Sequence, residues 1–309
     1  MDRPSVHVVI VNWNSGAQLR DCLRSFAAVA ADDVALERVT VVDNASTDGS
    51  AEAVDTSLPL VVIRNADNRG FAAACNQGAA GSGAEYLLFL NPDTRLMPGS
   101  LELPARYLQS EHHEDVGIVG IQLLDEAGHV ARNTARAPTA RSMTGNSLGL
   151  DRLLPSVFPS HFVTEWAHDE TRTVDQVMGA FFFVRRSAFE ALGGFDERFF
   201  VYYEDLDFAM RARRRGWSSV YLATAQAYHR GRGTTEAATE RRMFYFCRSK
   251  ILYGLKYFNS IGAFGVIFTT LALEPLARIA ASPGSAGSVL RASGMLWRDL
   301  PNILRASRN

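Results

Sequence analysis

The sequence predicts an α/β protein with a mostly parallel central sheet, helices on both of its faces and a helical tail. Short continuous apolar runs alternate with helical stretches through the first 125 of the 309 residues, a pattern typical of parallel strands covered on both sides. Hydrophobic residues make up 47% and charged residues 21% of the chain, which excludes a disordered or collagen-like protein. Near residue 240 an acidic body gives way to a basic tail.

The apolar runs predict strands, and the stretches between them predict helices that begin at polar caps and end at glycine. Strands are predicted at Val6–Val11, Val39–Val42, Leu60–Ile63, Tyr86–Leu90, Val116–Ile121, Val177–Val184 and Ser219–Leu222. Helices are predicted at Ala17–Val29, Phe71–Ala80, Gly99–Gln109, Ser187–Leu192, Glu204–Arg215 and Glu240–Phe258, with one more opening at Ser46-Thr47-Asp48. Residues 126–175 lack periodicity, so we expect loops and a mobile flap there. In such sheets, ligands bind at the carboxyl ends of the strands.

Cysteine usage and the first residues indicate a cytoplasmic protein. Cys22, Cys75 and Cys247 are widely spaced and odd in number, which gives neither a disulfide framework nor a zinc motif. The first residues lack the charged start, apolar run and cleavage site of a secretory signal.

Polar side chains follow the first two predicted strands. Asn12 and Asn14 come after the first strand, and Asp43 ends the second. A carboxylate at this place is able to accept hydrogen bonds from a nucleobase imide or a ribose hydroxyl. The alternative is structural, because Asp and Asn commonly shape turns and cap helices.

The strand Tyr86–Leu90 leads into an oxygen-rich tripeptide, Asn91-Pro92-Asp93. Carboxylate and amide oxygens suit Mg²⁺ or Mn²⁺, and such ions commonly join protein carboxylates to a diphosphate. Asn-Pro-Asp is also an ordinary turn sequence, and the tripeptide alone does not decide between the two.

A cluster of acids opens the helix predicted at residues 204–215. Glu204, Asp205 and Asp207 follow the aromatic run 199–203. The helix dipole explains one acid near a helix N-terminus, but not three. Acids mixed with aromatics suit a sugar pocket, in which a carboxylate is aimed at a hydroxyl. His229, after the last predicted strand, is either a buried histidine or a ligand.

In order, the segments VIVNWNSG, VVDNASTDGS, NRGFAAACNQG, LFLNPDT, GAFFFVRRSAF and GGFDERFFVYYEDLDFAMRARRRGW closely resemble the family 2 glycosyltransferases. The resemblance covers about residues 5–235 and is strongest to the bacterial rhamnosyltransferase-like branch. It implies the GT-A (Rossmann-like) fold, with a catalytic domain over residues 1–240 and a basic, aromatic-rich helical region over 241–309. Within the catalytic domain, residues 1–125 would form the nucleotide-binding half and residues 126–240 the acceptor half.

The resemblance also implies roles for residues that bind the donor. Asn12 and Asn14 would border the nucleotide, Asp43 would contact its base, and Arg69 would lie near it.

Asn91 and Asp93 occupy the metal motif, where the family usually has Asp-x-Asp, so one negative charge is missing. His229 matches a third metal ligand of some members, although the Arg-Gly-Arg-Gly-Thr-Thr sequence that follows it is less typical. Asp205 matches the general base, and Glu204 would cap the helix or orient the acceptor.

These roles describe a transferase that inverts the anomeric centre. Mg²⁺ or Mn²⁺ would neutralise the diphosphate leaving group while Asp205 deprotonates an acceptor hydroxyl. We expect dTDP-rhamnose as the donor and a glycan or lipid-linked saccharide of the cell envelope as the acceptor. A UDP-hexose-dependent transferase and a non-catalytic nucleotide-sugar-binding or membrane scaffold protein are the alternatives. A nicotinamide-dependent enzyme is disfavoured because the first strand is not followed by G-x-G-x-x-G.

The tail predicts attachment to an anionic membrane surface rather than to nucleic acid. Residues 241–309 hold ten basic and two acidic residues, a net charge of +8, interleaved with aromatics. The uncharged run Ile261–Leu273 ends at Glu274-Pro275 and is too short to cross a bilayer, which needs about 20 apolar residues. We therefore expect a peripheral protein on the inner face of the cell membrane. A helix packed on the catalytic domain and a homodimer interface are the alternatives.

Overall fold

The computed structural model describes residues 3–52, 57–231 and 239–307. These residues form two compact units. The first, here called the sheet unit, contains residues 3–52, 57–135, 164–197 and 205–231, and the second, the helical unit, contains residues 136–163, 198–204 and 239–307. The helical unit therefore takes two segments from the middle of the chain in addition to the tail.

The sheet unit holds the strands. They are β1 (Ser5–Asn12), β2 (Ala35–Asp43), β3 (Leu60–Arg64), β4 (Tyr86–Leu90), β5 (Thr94–Leu96), β6 (Val116–Leu124), β7 (Val130–Ala131), β8 (Thr134–Ala135), β9 (Arg172–Val174), β10 (Gln176–Val177), β11 (Phe181–Arg185) and β12 (Ser218–His229). The main sheet has the order β3-β2-β1-β4-β11-β6-β12-β5, with β7 beside β6 and β9 beside β12, and β8 pairs with β10 separately. Strands β3, β2, β1, β4, β6 and β12 share one direction, whereas β11 and β5 run the opposite way. The predicted mostly parallel sheet is confirmed.

Helices cover both faces of this sheet. In the sheet unit they are α1 (Ala17–Ser25), α2 (Phe71–Ala79), α3 (Glu102–Gln109), α5 (Arg186–Ala191) and α6 (Glu204–Arg214, of which Glu204 belongs to the helical unit), while α4 (Ala140–Ser147) lies in the helical unit. Alternate residues of β1 enter two separate cores: Val8 and Ile10 pack with α1 and α3, and Val9 packs with α2 and α6. This is the period-2 alternation of a strand.

Helix α2 lies unusually close to the sheet because its residues are small. A Cβ at Gly78 would stand 2.5 Å from Val9 Cγ1 and 2.9 Å from Val42 Cγ2, so only glycine fits there. The close approach holds the loop before α2 at the carboxyl edge of the sheet.

The single strand predicted at Val177–Val184 is wrong. The structure divides it into β10 and β11, with Gly179 and Ala180 between them. The break has a physical cause, because the Gly179 amide turns away from the ladder and donates to the Asp205 carboxylate. The stretch 126–175, expected to form loops, also contains β7, β8, β9 and helix α4, which begins at a Thr139–Ser142 capping box.

The tail folds as helices, as predicted. They are α7 (Thr239–Tyr257), α8 (Ser260–Phe268), a π-helical turn (Thr269–Leu273), α9 (Glu274–Ala281) and α10 (Ala286–Ala306). Short 3₁₀ turns at Phe26–Val29, Glu111–His113 and Pro283–Ser285 complete the secondary structure of the described residues.

The helix of the tail continues beyond the uncharged run Ile261–Leu273. Pro275 follows the π-helical turn and lies in the first turn of α9. Helix Ser260–Ala281 is therefore 22 residues long, and an 18-residue window within it has a mean hydropathy of 1.5. By length and composition alone it is the one helix of the described residues able to cross a membrane. Of its 18-residue apolar window, 33% is buried within the protein.

Candidate active site

The carboxyl ends of β1, β2 and β4 meet at one edge of the sheet. Asn12 at the end of β1 lies opposite Asp43 at the end of β2, and Ile10 lies opposite Leu90 at the end of β4. Parallel pairing therefore places the candidate nucleotide residues Asn12 and Asp43 close to the start of the Asn91-Pro92-Asp93 segment.

Asn12 and Asp43 form a buried polar network. The side-chain amide of Asn12 donates to Asp43 Oδ1 at 2.8 Å and to Ser50 Oγ at 2.9 Å. Ser46 Oγ donates to the same Asp43 oxygen at 2.5 Å. Among the described residues Asp43 Oδ2 receives only a longer bond, 3.3 Å, from the Ser46 amide, so this oxygen retains capacity for a further donor. Ser46 and Ser50 belong to the network although neither was a site residue predicted from the sequence.

The helix predicted to open at Ser46-Thr47-Asp48 is wrong for the described residues. Residues 44–52 form turns, and Gly49 has a positive φ of 71° that stops a helix there. The Asp48 carboxylate instead accepts from the Gly16 amide at 2.8 Å and the Ser50 amide at 3.0 Å. Burial alone would raise the pKa of Asp48, but these hydrogen bonds lower it.

Asn14 and Arg69 lie at the border of this edge. Asn14 has a φ of 51°, its backbone N–H donates to Ser46 Oγ at 2.9 Å, and its Oδ1 accepts from the Thr47 amide at 2.7 Å. Arg69 is exposed in the loop before α2. In the described part of the chain its side chain makes no hydrogen bond to Asn12, Asn14 or Asp43, so the structure does not bring it into their network.

Asp93 and His229 are brought together by strand pairing. Asp93 directly precedes β5, and β5 pairs with the end of β12 so that Thr94 lies opposite His229. His229 Nε2 lies 3.3 Å from Asp93 Oδ1, and the Arg230 amide donates to the Asp93 carbonyl at 3.1 Å. The residues that follow Gly231 and depart from the family pattern lie outside the described residues.

This donor set fits a divalent cation that takes its remaining ligands from a substrate. A carboxylate oxygen and an imidazole nitrogen are ordinary ligands of Mn²⁺, and Mg²⁺ is commonly held by one or two carboxylates plus phosphates. Within the described ranges no group of three or more His, Cys, Asp or Glu side chains is placed to hold a metal. Asn91 also forms an ordinary turn, since its carbonyl accepts from the Thr94 amide at 3.1 Å. The turn interpretation of the tripeptide is confirmed, and the metal interpretation stays a prediction.

Asp205 is held at this edge by the start of β11. Because β11 runs antiparallel to β4, its first residues lie beside the end of β4, and the Asn91 amide donates to the Ala180 carbonyl at 3.0 Å. The preceding residue, Gly179, donates its amide to Asp205 Oδ2 at 2.9 Å. The candidate base and the candidate metal motif are thus linked through two adjacent residues.

Burial raises the pKa of Asp205 above its ordinary value, although its own backbone N–H and three donors from other residues oppose this shift. These three donors are the Leu206 amide, 2.7 Å from Oδ1, the Gly179 amide and the side-chain amide of Gln176. Gln176 is itself buried, and its Oε1 has no hydrogen-bond partner among the described residues. Gln176 was not predicted from the sequence as a site residue. A polar residue in the apolar stretch before FFFV could have indicated one.

The other two acids of the cluster differ from Asp205. Asp207 is fully buried and pairs with Arg211 at 2.7 Å, and Arg211 also donates to the carbonyls of Leu192 and Gly194, so Asp207 has a structural role. Glu204 is buried in the helical unit.

The two tyrosines before Glu204 are strained, which the sequence did not predict. Tyr202 and Tyr203 have φ values of 67° and 72°, a conformation that costs non-glycine residues free energy and often marks functional sites. In the helical unit the Tyr203 ring contacts Phe246 and Tyr253.

Comparison with known proteins identifies the family. Residues 4–245 match the family model described as "Glycosyltransferase like family 2". The chain belongs to this family. It is therefore a glycosyltransferase, and the resemblance drawn from its motifs is confirmed.

The relatives of this glycosyltransferase include rhamnosyltransferases. It is 30% identical over 240 residues to the N-acetylglucosaminyl-diphospho-decaprenol L-rhamnosyltransferase of Mycobacterium tuberculosis, which covers 72% of this chain and 75% of that one. It is 27% identical over 147 residues to the rhamnosyltransferase WbbL of Escherichia coli K12, covering 47% of this chain and 52% of that one.

Solved structures confirm the GT-A fold. The mannosyltransferase PcManGT of Pyrobaculum calidifontis, in complex with GDP-Man and Mn²⁺, aligns with a TM-score of 0.56 at 18% identity and covers 100% of this chain and 87% of that one. S. aureus TarS in complex with UDP-GlcNAc aligns with a TM-score of 0.56 at 15% identity and covers 98% and 81%.

Proposed function

We propose that this glycosyltransferase is an inverting, metal-dependent enzyme that transfers rhamnose from dTDP-rhamnose to a hydroxyl of a lipid-linked saccharide or glycan in cell-envelope synthesis. The names of the mycobacterial and E. coli relatives support rhamnose as the sugar. The mycobacterial name also supports a saccharide carried on a lipid diphosphate as the acceptor.

The observation that carries this proposal is the link between Asp205 and the Asn91–Asp93 segment. Gly179 bonds to Asp205 and Ala180 bonds to Asn91, so the candidate base and the candidate cation-binding segment lie at one edge of the sheet. An inverting, metal-dependent transferase needs a base and a cation around the bond that breaks.

Asp205 acts as the general base in this proposal. It removes the proton of the acceptor hydroxyl while the hydroxyl oxygen bonds to the anomeric carbon. The bond from that carbon to the diphosphate breaks at the same time, and its electron pair leaves with the nucleoside diphosphate. Attack from the face opposite the leaving group inverts the anomeric centre. A base whose pKa lies nearer the working pH transfers protons more efficiently, and burial moves the pKa of Asp205 in that direction.

Asp43 and Asn12 bind the base and ribose of the donor, bordered by Asn14, with Arg69 near the nucleotide. Asp93, with Asn91 and His229, holds Mg²⁺ or Mn²⁺, which supplies Lewis-acid neutralisation of the diphosphate charge when bound. Donor binding belongs mainly to residues 1–125, and catalysis and acceptor binding belong to residues 126–240. The enzyme is cytoplasmic and attaches through residues 241–309 to the inner face of the cell membrane.

A UDP-sugar donor is the second candidate, because the fold neighbour TarS was solved with UDP-GlcNAc. Nucleotide-sugar binding distinguishes the two candidates. The protein is heated with Mg²⁺ or Mn²⁺ and dTDP-rhamnose, dTDP-glucose, UDP-GlcNAc or GDP-mannose. A ligand at 100 times its Kd stabilises the fold by about 2.7 kcal/mol, and we expect this shift for dTDP-rhamnose. Asp43→Asn is the matched control and should lose the shift. Stabilisation by UDP-sugars without any by dTDP-rhamnose would overturn the proposed donor.

A further inference from the structure

The outward side of helix Ser260–Ala281 is strongly apolar. Ile261, Phe264, Phe268 and Leu276 are 84%, 68%, 49% and 65% exposed. Their spacing of three, four and eight residues places them along one side of a helix. These four residues are called here the apolar face.

The inward side of the same helix is more polar than the apolar face. Thr269, Thr270 and Glu274 are buried together with the apolar Ala263, Val266 and Leu271. Glu274 bonds to the buried Lys250 and pairs with Arg278 at 2.7 Å. The inward side is therefore mixed in polarity, whereas the four residues of the apolar face are all large and apolar. Large contiguous exposed apolar patches mark interaction sites, so the apolar face indicates a non-aqueous environment for the outer side.

The charge of the helical unit indicates which environment this is. Residues 241–309 carry a net charge of +8, and Arg241, Arg242, Arg298 and Arg305 are exposed. An exposed apolar helix side in a unit that also exposes arginines is typical of binding at the surface of an anionic bilayer. Association with a second copy of the same +8 unit would bring like charges together.

We propose that the apolar face inserts into the headgroup layer of an anionic phospholipid membrane, with helix Ser260–Ala281 lying along the surface. The helix does not cross the bilayer, because α4, α7 and α10 pack against it within the helical unit. This inference specifies the membrane attachment of the proposed function and depends neither on the donor nor on Asp205.

The test is sedimentation of the full chain with phosphatidylglycerol-containing vesicles, with phosphatidylcholine vesicles and without vesicles. The variant Ile261→Ser/Phe264→Ser/Phe268→Ser removes most of the apolar face, and Phe264→Ser and Phe268→Ser are measured singly. The matched control is Val61→Ser/Leu103→Ser, which changes two exposed apolar residues of the sheet unit. Thermal unfolding and light scattering report the fold and oligomeric state of each variant.

The wild type and the control should sediment with phosphatidylglycerol vesicles and bind phosphatidylcholine much more weakly. The triple variant should bind at least about 100-fold more weakly, because three large side chains no longer leave water. Each single variant should lose about tenfold. A wild type that ignores anionic vesicles would overturn membrane attachment altogether. A triple variant that folds and binds like the wild type would overturn the apolar face alone. A wild type that forms dimers without binding vesicles, with a monomeric triple variant, would assign the face to a second copy.

Discussion

Replacing Asp205 with asparagine separates the catalytic role of this residue from its structural one. The wild-type carboxylate accepts from the Gly179 amide at 2.9 Å and from the Leu206 amide at 2.7 Å. Asparagine has one acceptor oxygen, so its NH₂ group must face one of these N–H donors. An unsatisfied buried donor costs about 1–3 kcal/mol, and the free energy of unfolding should fall by about that amount. Turnover should fall by about 10²–10⁴-fold, the usual effect of losing a general base.

The assay combines release of nucleoside diphosphate with donor binding measured by thermal shift. Donor binding should survive in Asp205→Asn because the Asn12–Asp43 network is unchanged. Glu204→Gln is the matched control, since adjacent helical positions point about 100° apart and the two acids cannot serve one hydroxyl equally. We expect a milder effect there, mainly on acceptor affinity.

The pH profile adds a second readout. Burial raises the pKa of Asp205 above 3.8, so the wild-type kcat/KM should fall on acidification with an apparent pKa above that value. Near-normal turnover in Asp205→Asn, or a larger loss in Glu204→Gln, would refute the assignment of the base. Loss of donor binding in Asp205→Asn would indicate a structural role instead.

Three further changes test the surroundings of the site. Asp93→Ala should lower turnover more than Asn91→Ala, because a neutral amide attracts a cation less than a carboxylate does. Excess chelator should also lower turnover. A larger loss in Asn91→Ala than in Asp93→Ala, or full activity in chelator, would contradict the metal site. Gln176→Leu should raise the apparent pKa of the acid limb of kcat/KM, since a hydrogen-bond donor to the Asp205 carboxylate is lost. Gln176→Glu should raise this pKa further by like-charge repulsion. An unchanged pH profile in both variants would contradict the contact between Gln176 and Asp205. His7 donates or accepts at Thr40 Oγ1 (2.8 Å), and burial with the nearby Arg38 charge lowers its pKa to about 4. The contribution of neutral His7 to the free energy of unfolding should therefore be fully present above pH 6.5. It should decrease by up to about 3 kcal/mol as the pH falls toward 4. The His7→Gln variant should show a weaker pH dependence in calorimetry.

Local patterns predicted the parallel strands β1, β2, β3, β4, β6 and β12 and most helices, because buried parallel strands leave continuous apolar runs. The same patterns could not predict that β11 runs antiparallel, since direction depends on partners distant in sequence. That direction is what brings Gly179 to Asp205. The helix expected after Ser46 failed for a local reason, because Gly49 has a positive φ of 71°.

In the candidate site, too, some features followed from local patterns and others depended on contacts distant in sequence. The positions of Asn12 and Asp43 at the ends of neighbouring strands followed from alternation and parallel pairing. The proximity of Asp93 to His229 required the register of β5 against β12, which no local pattern contains. The exposed apolar face of helix Ser260–Ala281 was also hidden, because the sequence does not show which side of a helix the protein covers.

The most direct test of the proposed reaction is the anomeric configuration of the product. The enzyme is incubated with dTDP-rhamnose, Mg²⁺ or Mn²⁺ and a lipid-linked saccharide acceptor, and the new linkage is compared with the donor by NMR spectroscopy. We predict a rhamnosyl product with the anomeric configuration opposite to that of the donor. A product that retains the donor configuration would contradict a single displacement assisted by Asp205.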